Sequence, residues 1–290
     1  MVGAGPPPIL AKVQSIYDSR STQYDSNSVH ARQAHDYVTA WADLKPGDAV
    51  LDLACGTGLV ALGAKRLVGA AGRVVGVDIS EGMLSVARRK AEVEGLQVHF
   101  VKGDVSDLSM KDLSASWDTR PGDGLFDVIT CAAALLLLPD PVAALRDWKT
   151  LLRPSTGRIV TDVQTAGANL VMNIFATIAP QLPGESVPWD TQRWTSLRDL
   201  EQVALDAGLK VHSSFETVPY AVTRYDKATT RGEDLFRKAV GKGHMFENFG
   251  TPAVRDEAES LFVEKYMELL GPTGTFIEEC KYWVVVASNA

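Results

Sequence analysis

The chain has 290 residues, of which 46% are hydrophobic, so it can form one large domain, or a domain with a cap, around a buried core. Its formal net charge of −7 counts against electrostatic binding to nucleic acid or to an anionic membrane. No signal peptide is recognisable, and no apolar run reaches the ~20 residues that a membrane span needs. We therefore expect an intracellular, cytoplasmic protein with no nucleic-acid or membrane partner.

Strands and helices alternate regularly through the first half of the chain. Two N-terminal helices are predicted where apolar side chains recur at helical spacing, at residues 9–17 and 30–41. After the breaker Pro46-Gly47, apolar runs predict strands at residues 49–54, 73–77, 97–101, 126–132 and 158–163. Between these strands, helices are predicted at residues 59–68, 81–94 and 141–152. Such alternation predicts a parallel sheet with helices on both faces.

The second half of the chain is less regular. Its predicted elements are helices at residues 170–178 and 197–207, strands at 209–218 and 281–287, and interrupted helical stretches within 226–270. Two late strands separated by an insertion predict an antiparallel edge, with the inserted helices covering a ligand crevice. The fold class is therefore α/β: a Rossmann-like doubly wound sheet of about seven strands, mostly parallel with an antiparallel last strand, plus helical cap insertions.

We expect one compact domain with three parts. An N-terminal helical lid occupies residues 1–45, and a cofactor-binding core occupies residues 46–165. Residues 166–290 supply the remaining core strands together with the helical insertions that would cap a substrate.

A glycine turn follows the first predicted strand. Gly56 and Gly58 allow a sharp turn and let the backbone approach a ligand closely. Asp78 ends the second strand, twenty residues after Gly58, where its carboxylate can accept hydrogen bonds from both hydroxyls of a ribose. Residues 56–61 also satisfy the dinucleotide pattern G-x-G-x-x-G/A, so this pattern alone fits either a dinucleotide or another nucleoside cofactor.

Three further features carry a family resemblance. They are Asp52 ahead of the turn, Gly103-Asp104-Val105 after the third strand, and a helical segment before the first strand. With them the chain resembles class I S-adenosylmethionine-dependent methyltransferases, in particular ubiquinone and menaquinone C-methyltransferases and fungal small-molecule methyltransferases. The likeness covers residues 13–163 well and the remainder only by architecture.

The resemblance implies S-adenosylmethionine as the cofactor. Asp78 would bind the ribose, and Asp104 with the Val105 amide would bind the adenine, which Ile79 and Met83 would help to enclose. The implied cofactor-binding residues are Tyr24, Asp52, Ala54, Cys55, Gly56, Thr57, Gly58, Asp78, Ile79, Met83, Gly103, Asp104, Val105, Cys131 and Ala132.

Histidines are the candidate catalytic residues, because their side chains titrate near neutral pH. Methyl transfer mainly requires alignment of the reactants and, for a hydroxyl or thiol acceptor, a base. His244 lies in a glycine-rich loop of the predicted cap, and His35 and His30 lie on the N-terminal helix. His30 shares an apolar stripe that equally predicts a packed core histidine. Related enzymes often place a histidine soon after strand four, whereas residues 133–138 here carry no polar side chain and predict an apolar wall.

Together these features predict a metal-independent methyltransferase of specialised (secondary) metabolism with a small, largely apolar acceptor. O-methylation is the expected reaction, with N-, S- and C-methylation open. A monomer or homodimer is expected. One alternative is a methyltransferase-fold enzyme that catalyses a non-methylating cyclisation or rearrangement. A nucleic-acid or protein methyltransferase is disfavoured by the acidic charge and by the missing Asn/Asp-Pro-Pro-aromatic motif. A nicotinamide oxidoreductase is the fourth possibility.

Overall fold

The computed structural model describes residues 8–108, 126–187, 193–242 and 244–289, with side chains from residue 10 onward. The strands in chain order are β1 (Ala49–Leu53), β2 (Arg73–Asp78), β3 (His99–Lys102), β4 (Val128–Cys131), β5 (Arg158–Gln164), β6 (Leu209–Glu216), β7 (Ala221–Asp226), β8 (Thr275–Cys280) and β9 (Tyr282–Asn289). The helices are α1 (Pro8–Arg20), α2 (Ser28–Asp36), α3 (Leu59–Val68), α4 (Glu81–Glu94), α5 (Pro141–Thr150), α6 (Leu170–Ile178), α7 (Leu197–Asp206), α8 (Gly232–Ala239) and α9 (Arg255–Leu270).

Seven strands form the central sheet, in the order β3-β2-β1-β4-β5-β9-β6. Strands β1 to β5 pair in parallel, whereas β9 lies between β5 and β6 and is antiparallel to both. The predicted α/β class, with its mostly parallel sheet and antiparallel last strand, is confirmed. The chain leaves β1 toward β2 and β3 and later crosses to β4 on the other side. This reversal opens a crevice at the carboxyl ends of β1 and β4, where doubly wound sheets bind ligands.

Helices cover both faces of this sheet. On one face, α2, α3 and α4 bury residues such as Ala34, Leu62 and Ala87 against the strands. On the other face, α5 and α7 do the same with residues such as Trp148 and Leu200. Because both faces are covered, the central strands are apolar along their whole length, which matches the continuous apolar runs in the sequence. Among the described helices, none combines the length and apolar character needed to cross a membrane.

A separate apolar core holds the helical cap together. The ring of Phe175 in α6 stacks on Phe246 at a centroid distance of 4.1 Å and packs against Phe249 and Phe262 at 4.8 and 5.0 Å. Helices α6, α8 and α9 contribute to this core. The cap is therefore stabilised by its own aromatic cluster rather than by burial against the sheet.

Strands β7 and β8 form a second, two-stranded antiparallel sheet that the sequence analysis missed. Their side chains are mostly exposed or half-buried, so neither strand carries a clear apolar alternation. The pair bounds the later part of the cap, residues 227–274, since Asp226 lies opposite Thr275. The division of the chain into lid, core and cap-bearing parts stays a prediction.

A buried carboxylate in β5 fastens the N-terminal helices to the sheet. Asp162 Oδ2 accepts hydrogen bonds from Gln33 Nε2 of α2 at 2.6 Å and from the Tyr37 hydroxyl at 2.9 Å. Its Oδ1 accepts from the backbone N–H of Ala133 at 2.8 Å, which holds that residue at a φ of +54°. One side chain thus connects the lid, β5 and the turn after β4.

Burial raises the pKa of Asp162 to about 7, although its three hydrogen bonds lower it in part. The Tyr37 hydroxyl lies 3.0 Å from the Cys131 carbonyl as well as 2.9 Å from Asp162. It carries one hydrogen, so it can donate to only one of these partners at a time. When Asp162 is protonated it can donate to Tyr37, which then donates to Cys131, and both protonation states are accommodated.

Replacing Asp162 should loosen the attachment of the lid. Asp162→Ala leaves the Gln33 amide and the Ala133 N–H without this acceptor, and we expect the free energy of unfolding to fall by about 2–4 kcal/mol. Thr161→Val is a matched control in the same strand, because it removes one hydrogen bond to Cys131 and should cost only about 1 kcal/mol. Urea denaturation of both variants measures the difference, and equal losses would contradict the role given to Asp162.

Candidate active site

The turn after β1 has a backbone that favours glycine. Ala54, Gly56 and Gly58 have φ values of +52°, +54° and +80°. A Cβ on Gly58 would lie 3.1 Å from Ala87 Cβ and 3.2 Å from the Phe100 ring, so both conformation and space favour glycine there. The chain then enters α3 directly, which brings the backbone of the turn to the edge of the crevice.

Asp78 holds this turn from the end of β2. Its Oδ2 accepts the Gly56 N–H at 2.8 Å, and its Oδ1 accepts the Ser80 N–H at 2.8 Å. Only 7% of Asp78 is exposed, and burial raises its pKa while the two backbone hydrogen bonds lower it. Each carboxylate oxygen has a second lone pair, so the side chain can still accept hydrogen bonds from a ribose diol.

A small chamber of about 50 Å³ lies on the other side of the turn. Its lining includes Asp52, Thr57 and Ala132. Asp52 is 1% exposed; Oδ1 accepts a hydrogen bond from Thr130 at 2.8 Å, while Oδ2 has no hydrogen-bond partner among the described residues. Burial raises the pKa of Asp52 to about 7. An unpartnered buried carboxylate oxygen is costly, and a cationic group in the chamber would relieve that cost.

The residues expected around the adenine come together in a neighbouring cavity of about 80 Å³. Ile79, Met83, Gly103, Asp104 and Val105 all line it. The side chain of Asp104 is oriented by hydrogen bonds from the N–H and hydroxyl of Ser106 at 2.8 and 2.7 Å. The cavity therefore offers an apolar slot with a carboxylate and a backbone amide at one end.

The N-terminal segment closes this cavity from above. Leu10 and Val13 of α1 line it together with Tyr17 and Tyr24. Helix α1 is held in place by Asp18, which accepts hydrogen bonds from Ser80 and from the Gly82 N–H. Placed in this way, the segment separates the cavity from solvent.

The predicted cofactor contacts at Ala132, Cys131 and Cys55 differ in whether they line a cavity. Ala132 lines both the adenine cavity and the small chamber. Cys131 is fully buried and lines neither space. Its carbonyl oxygen accepts hydrogen bonds from Tyr37 and Thr161. Cys55 lines the small chamber, and its buried thiol has a raised pKa. The contacts assigned to these residues stay predictions.

The three candidate histidines lie in different surroundings. The ring of His30 stacks on Tyr24 at 4.4 Å and lines the small chamber, an inner chamber and an outer cleft. His244 is exposed and lines the outer cleft, about which Gly241 and Lys242 also lie. His35 is exposed and lines none of these cavities. Of the three, His30 is the one placed beside the cofactor crevice.

The inner chamber and the outer cleft connect this crevice with solvent. The inner chamber, of about 190 Å³, has a mixed lining, in which the apolar side chains of Leu136, Leu137, Met172 and Met245 lie beside polar ones such as Gln164. The outer cleft, of about 750 Å³, lies between the N-terminal segment and the cap. Leu136 and Leu137 belong to the wall after β4 that the sequence predicts to be apolar. Together the two spaces can hold a small molecule next to the cofactor.

Several residues of this region gave no sequence signal of a site. Arg20, Asn27 and Asn169 line both the inner chamber and the outer cleft. They are scattered along the chain and belong to no motif, so only the fold brings them together. Asp162 did carry a signal, since a carboxylate within the apolar run of β5 has to be buried and therefore partnered.

The site defines a class of protein. A glycine turn at the switch point, a ribose acid on β2, an unpartnered buried acid and an adenine slot fit a nucleoside cofactor that carries a positive charge. S-adenosylmethionine has these parts. Asp78, Asp52 and Asp104 would hold its ribose, ammonium and adenine, respectively. The class is that of Rossmann-like enzymes that use this cofactor.

A family model described as "Methyltransferase domain" matches residues 44–200, more than half of the chain. The chain therefore belongs to this methyltransferase family, and its cofactor is S-adenosylmethionine.

Relatives and solved structures agree with this assignment. Demethylmenaquinone methyltransferase from Lactococcus lactis is 32% identical over 155 residues, which are 51% of this chain and 57% of the relative. The enzyme of the same name from Bacillus cereus is 32% identical over 158 residues, which are 51% of this chain and 60% of that one. The chain thus matches less than two thirds of the length of these curated relatives.

Two solved structures share the fold. A SAM-dependent methyltransferase from Aquifex aeolicus superimposes with a TM-score of 0.51 at 20% identity, covering 69% of this chain and 92% of that one. The [4+2]-cyclase SpnF superimposes with a TM-score of 0.56 at 18% identity, covering 99% of this chain and 98% of that one. At these identities the likeness concerns the fold alone.

Removing the ribose acid should weaken cofactor binding. Asp78→Ala deletes charged acceptors from a buried site, and we expect the affinity for S-adenosylhomocysteine to fall by roughly 2–4 kcal/mol. Asp78→Asn keeps the size of the side chain and separates loss of charge from loss of the turn. Asp147→Ala, an exposed change on α5, is the control and should bind normally. Isothermal titration measures all three, and unchanged binding by a folded Asp78→Ala would contradict the site.

Proposed function

We propose that the protein transfers the methyl group of S-adenosylmethionine to a small, largely apolar acceptor. The specific reaction that we propose is O-methylation, carried out in the cytoplasm as part of specialised metabolism. The observation that carries this proposal is the continuity of the cofactor crevice with the inner chamber. Tyr24 lines both, and beyond it the chamber offers the apolar side chains of Leu136, Met172 and Met245 together with polar ones. A flat, apolar acceptor in this chamber would lie against the cofactor site.

When bound, S-adenosylmethionine supplies a sulfonium-activated methyl group, so the protein has mainly to align the acceptor and exclude water. Tyr17 and Tyr24 serve the second purpose, because they close the crevice on the side of the lid. The small chamber with Asp52 would anchor the ammonium end of the cofactor. Anchoring both ends leaves the reacting centre fixed between them.

His30 is the proposed base for a hydroxyl acceptor. Burial lowers its pKa, and the nearby Arg20 lowers it further, although Asp25 has the opposite effect. The imidazole is therefore neutral at pH 7 and able to accept a proton. Its ring is held by the stack on Tyr24, and its Nε2 lies 3.5 Å from the Asn27 amide nitrogen. A fixed, neutral imidazole beside the inner chamber meets the requirements of a general base.

The test of the function is product formation by the full chain. Incubation with S-adenosylmethionine and a panel of phenols, thiols and amines should give one class of product with a mass increase of about 14 Da, the mass of an added CH₂, together with S-adenosylhomocysteine. Failure to bind S-adenosylhomocysteine in an equilibrium titration would contradict the proposal at its first step.

A non-methylating cyclisation or rearrangement is the second candidate. The apolar wall after β4 favours this candidate. The [4+2]-cyclase SpnF, a protein of the same fold, is named for such a reaction. Mass spectrometry separates the two candidates, because a cyclised or rearranged product keeps the mass of its precursor.

The pH dependence of the reaction should identify the base. Because burial lowers the pKa of His30 from its usual 6.5, the rate for a hydroxyl acceptor should rise with pH, with a midpoint below pH 6.5. His30→Gln should lower kcat by about a hundredfold and remove this inflection. His99→Gln, at an exposed strand position outside the site, is the control. Steady-state rates from pH 5 to 8 measure the effect, and an unchanged profile in His30→Gln would exclude His30 as the base.

A further inference from the structure

The outer cleft has an uneven distribution of charge. Three permanently charged cations line it, namely Arg20, Lys238 and Lys242, and no aspartate or glutamate is found among its described lining residues. The chain as a whole has 36 acidic and 29 basic residues, so a cleft with only cations departs from the average surface. A wall of one sign concentrates ligands of the opposite sign.

The charged side chains of helix α8 are distributed unevenly between the face that lines the cleft and the outer face. Leu235, Lys238 and Ala239 recur at helical spacing and line the cleft, and Lys242 joins them from the turn that follows the helix. The charged residues of the other face pair with each other, since Arg237 contacts Asp234 at 2.8 Å and Arg231 contacts Glu233 at 3.5 Å. The acids of this helix are thus neutralised locally and leave the two lysines uncompensated.

The opposite wall shows the same arrangement. Asp18 accepts hydrogen bonds from Ser80 and Gly82, and Asp25 accepts from Thr57 and Lys90, so both acids are turned away from the cleft. Arg20 remains on the cleft side and forms no ion pair among the described residues. Its charge reaches the inner chamber: burial raises the pKa of Tyr17 and lowers that of His30, and Arg20, the next influence in size, lowers the pKa of both.

We propose that the acceptor carries an anionic group, a carboxylate or a phosphate, which Arg20, Lys238 and Lys242 bind in the outer cleft while its apolar body occupies the inner chamber. This assignment rests on the proposed function, because it places the acceptor next to the cofactor crevice. The two spaces share Arg20, Asn27, Asn169 and Met245 in their linings, so one molecule can extend through both. The anion then fixes the orientation in which the apolar end meets the cofactor.

Three naphthalene probes test this proposal with the full chain saturated with S-adenosylhomocysteine. They are 6-hydroxy-2-naphthoate, its neutral amide 6-hydroxy-2-naphthamide, and 2-naphthyl phosphate. Fluorescence titration should show that at least one anionic probe binds about fivefold or more tightly than the amide, and that this preference shrinks with added salt. A preference for the phosphate over the naphthoate would identify a phosphate ester, and the reverse a carboxylate. Equal affinity for all three probes, or no binding by either anion, would overturn the proposal.

Variants locate the anion site. Lys238→Gln should weaken the preferred anion by about threefold, and the triple variant with Arg20→Gln and Lys242→Gln should abolish its advantage over the amide. Arg237→Gln is the matched control, because it removes the same charge from the outer face of α8 and should leave the preference intact. An equal loss in Arg237→Gln would overturn the site. Titration of each variant with S-adenosylhomocysteine keeps the two proposals distinguishable, since only a failure of the proposed function would abolish that binding.

Discussion

The hydrogen bond from the Gly56 N–H to Asp78 is the contact on which the site depends. It joins the end of β2 to the turn after β1, so the two strands that flank the crevice hold one fixed geometry. Because Asp78 is buried, the bond is shielded from water and is correspondingly strong. Thr57, one residue further along, donates to Asp25 of the lid at 2.5 Å. This second hydrogen bond attaches the glycine turn to the segment that covers it.

Carboxylates fasten the lid at several points along its length. Asp18 reaches α4, Asp25 reaches the glycine turn, and Asp162 receives Gln33 and Tyr37. Each of these acids accepts more than one hydrogen bond, so each joins two or more donors at one point. Asp18 and Asp25 are thereby held by partners outside the outer cleft, whose described lining includes cations but no aspartate or glutamate.

Local signals account for what could be predicted from the sequence. The limits of α3, α4 and α6 agree with the predicted ranges, because Gly95 after α4 and Asn169 before α6 supply the cap conformations that end or begin a helix. Most residues expected around the adenine come directly after a strand, and one cavity gathers them, while their contacts with the cofactor stay predictions. Pairing over a long separation gives no such signal. Strands β7 and β8 lack a buried face, and Arg20 and Lys238 come to line the same cleft only in the folded chain.

The attachment of the cap has a consequence for how the protein can diversify. The chain leaves β7 at Asp226 and returns to β8 at Thr275, which lie opposite each other, and Lys227 donates to the Gly274 carbonyl at 2.9 Å. Residues 227–274 therefore enter and leave through a single narrow stem, and their helices α8 and α9 pack on α6 in the aromatic core. Sequence drift or exchange in residues 227–274 could alter acceptor selection while the cofactor machinery stays unchanged. Evolution, or a protein engineer, could treat this segment as an interchangeable module.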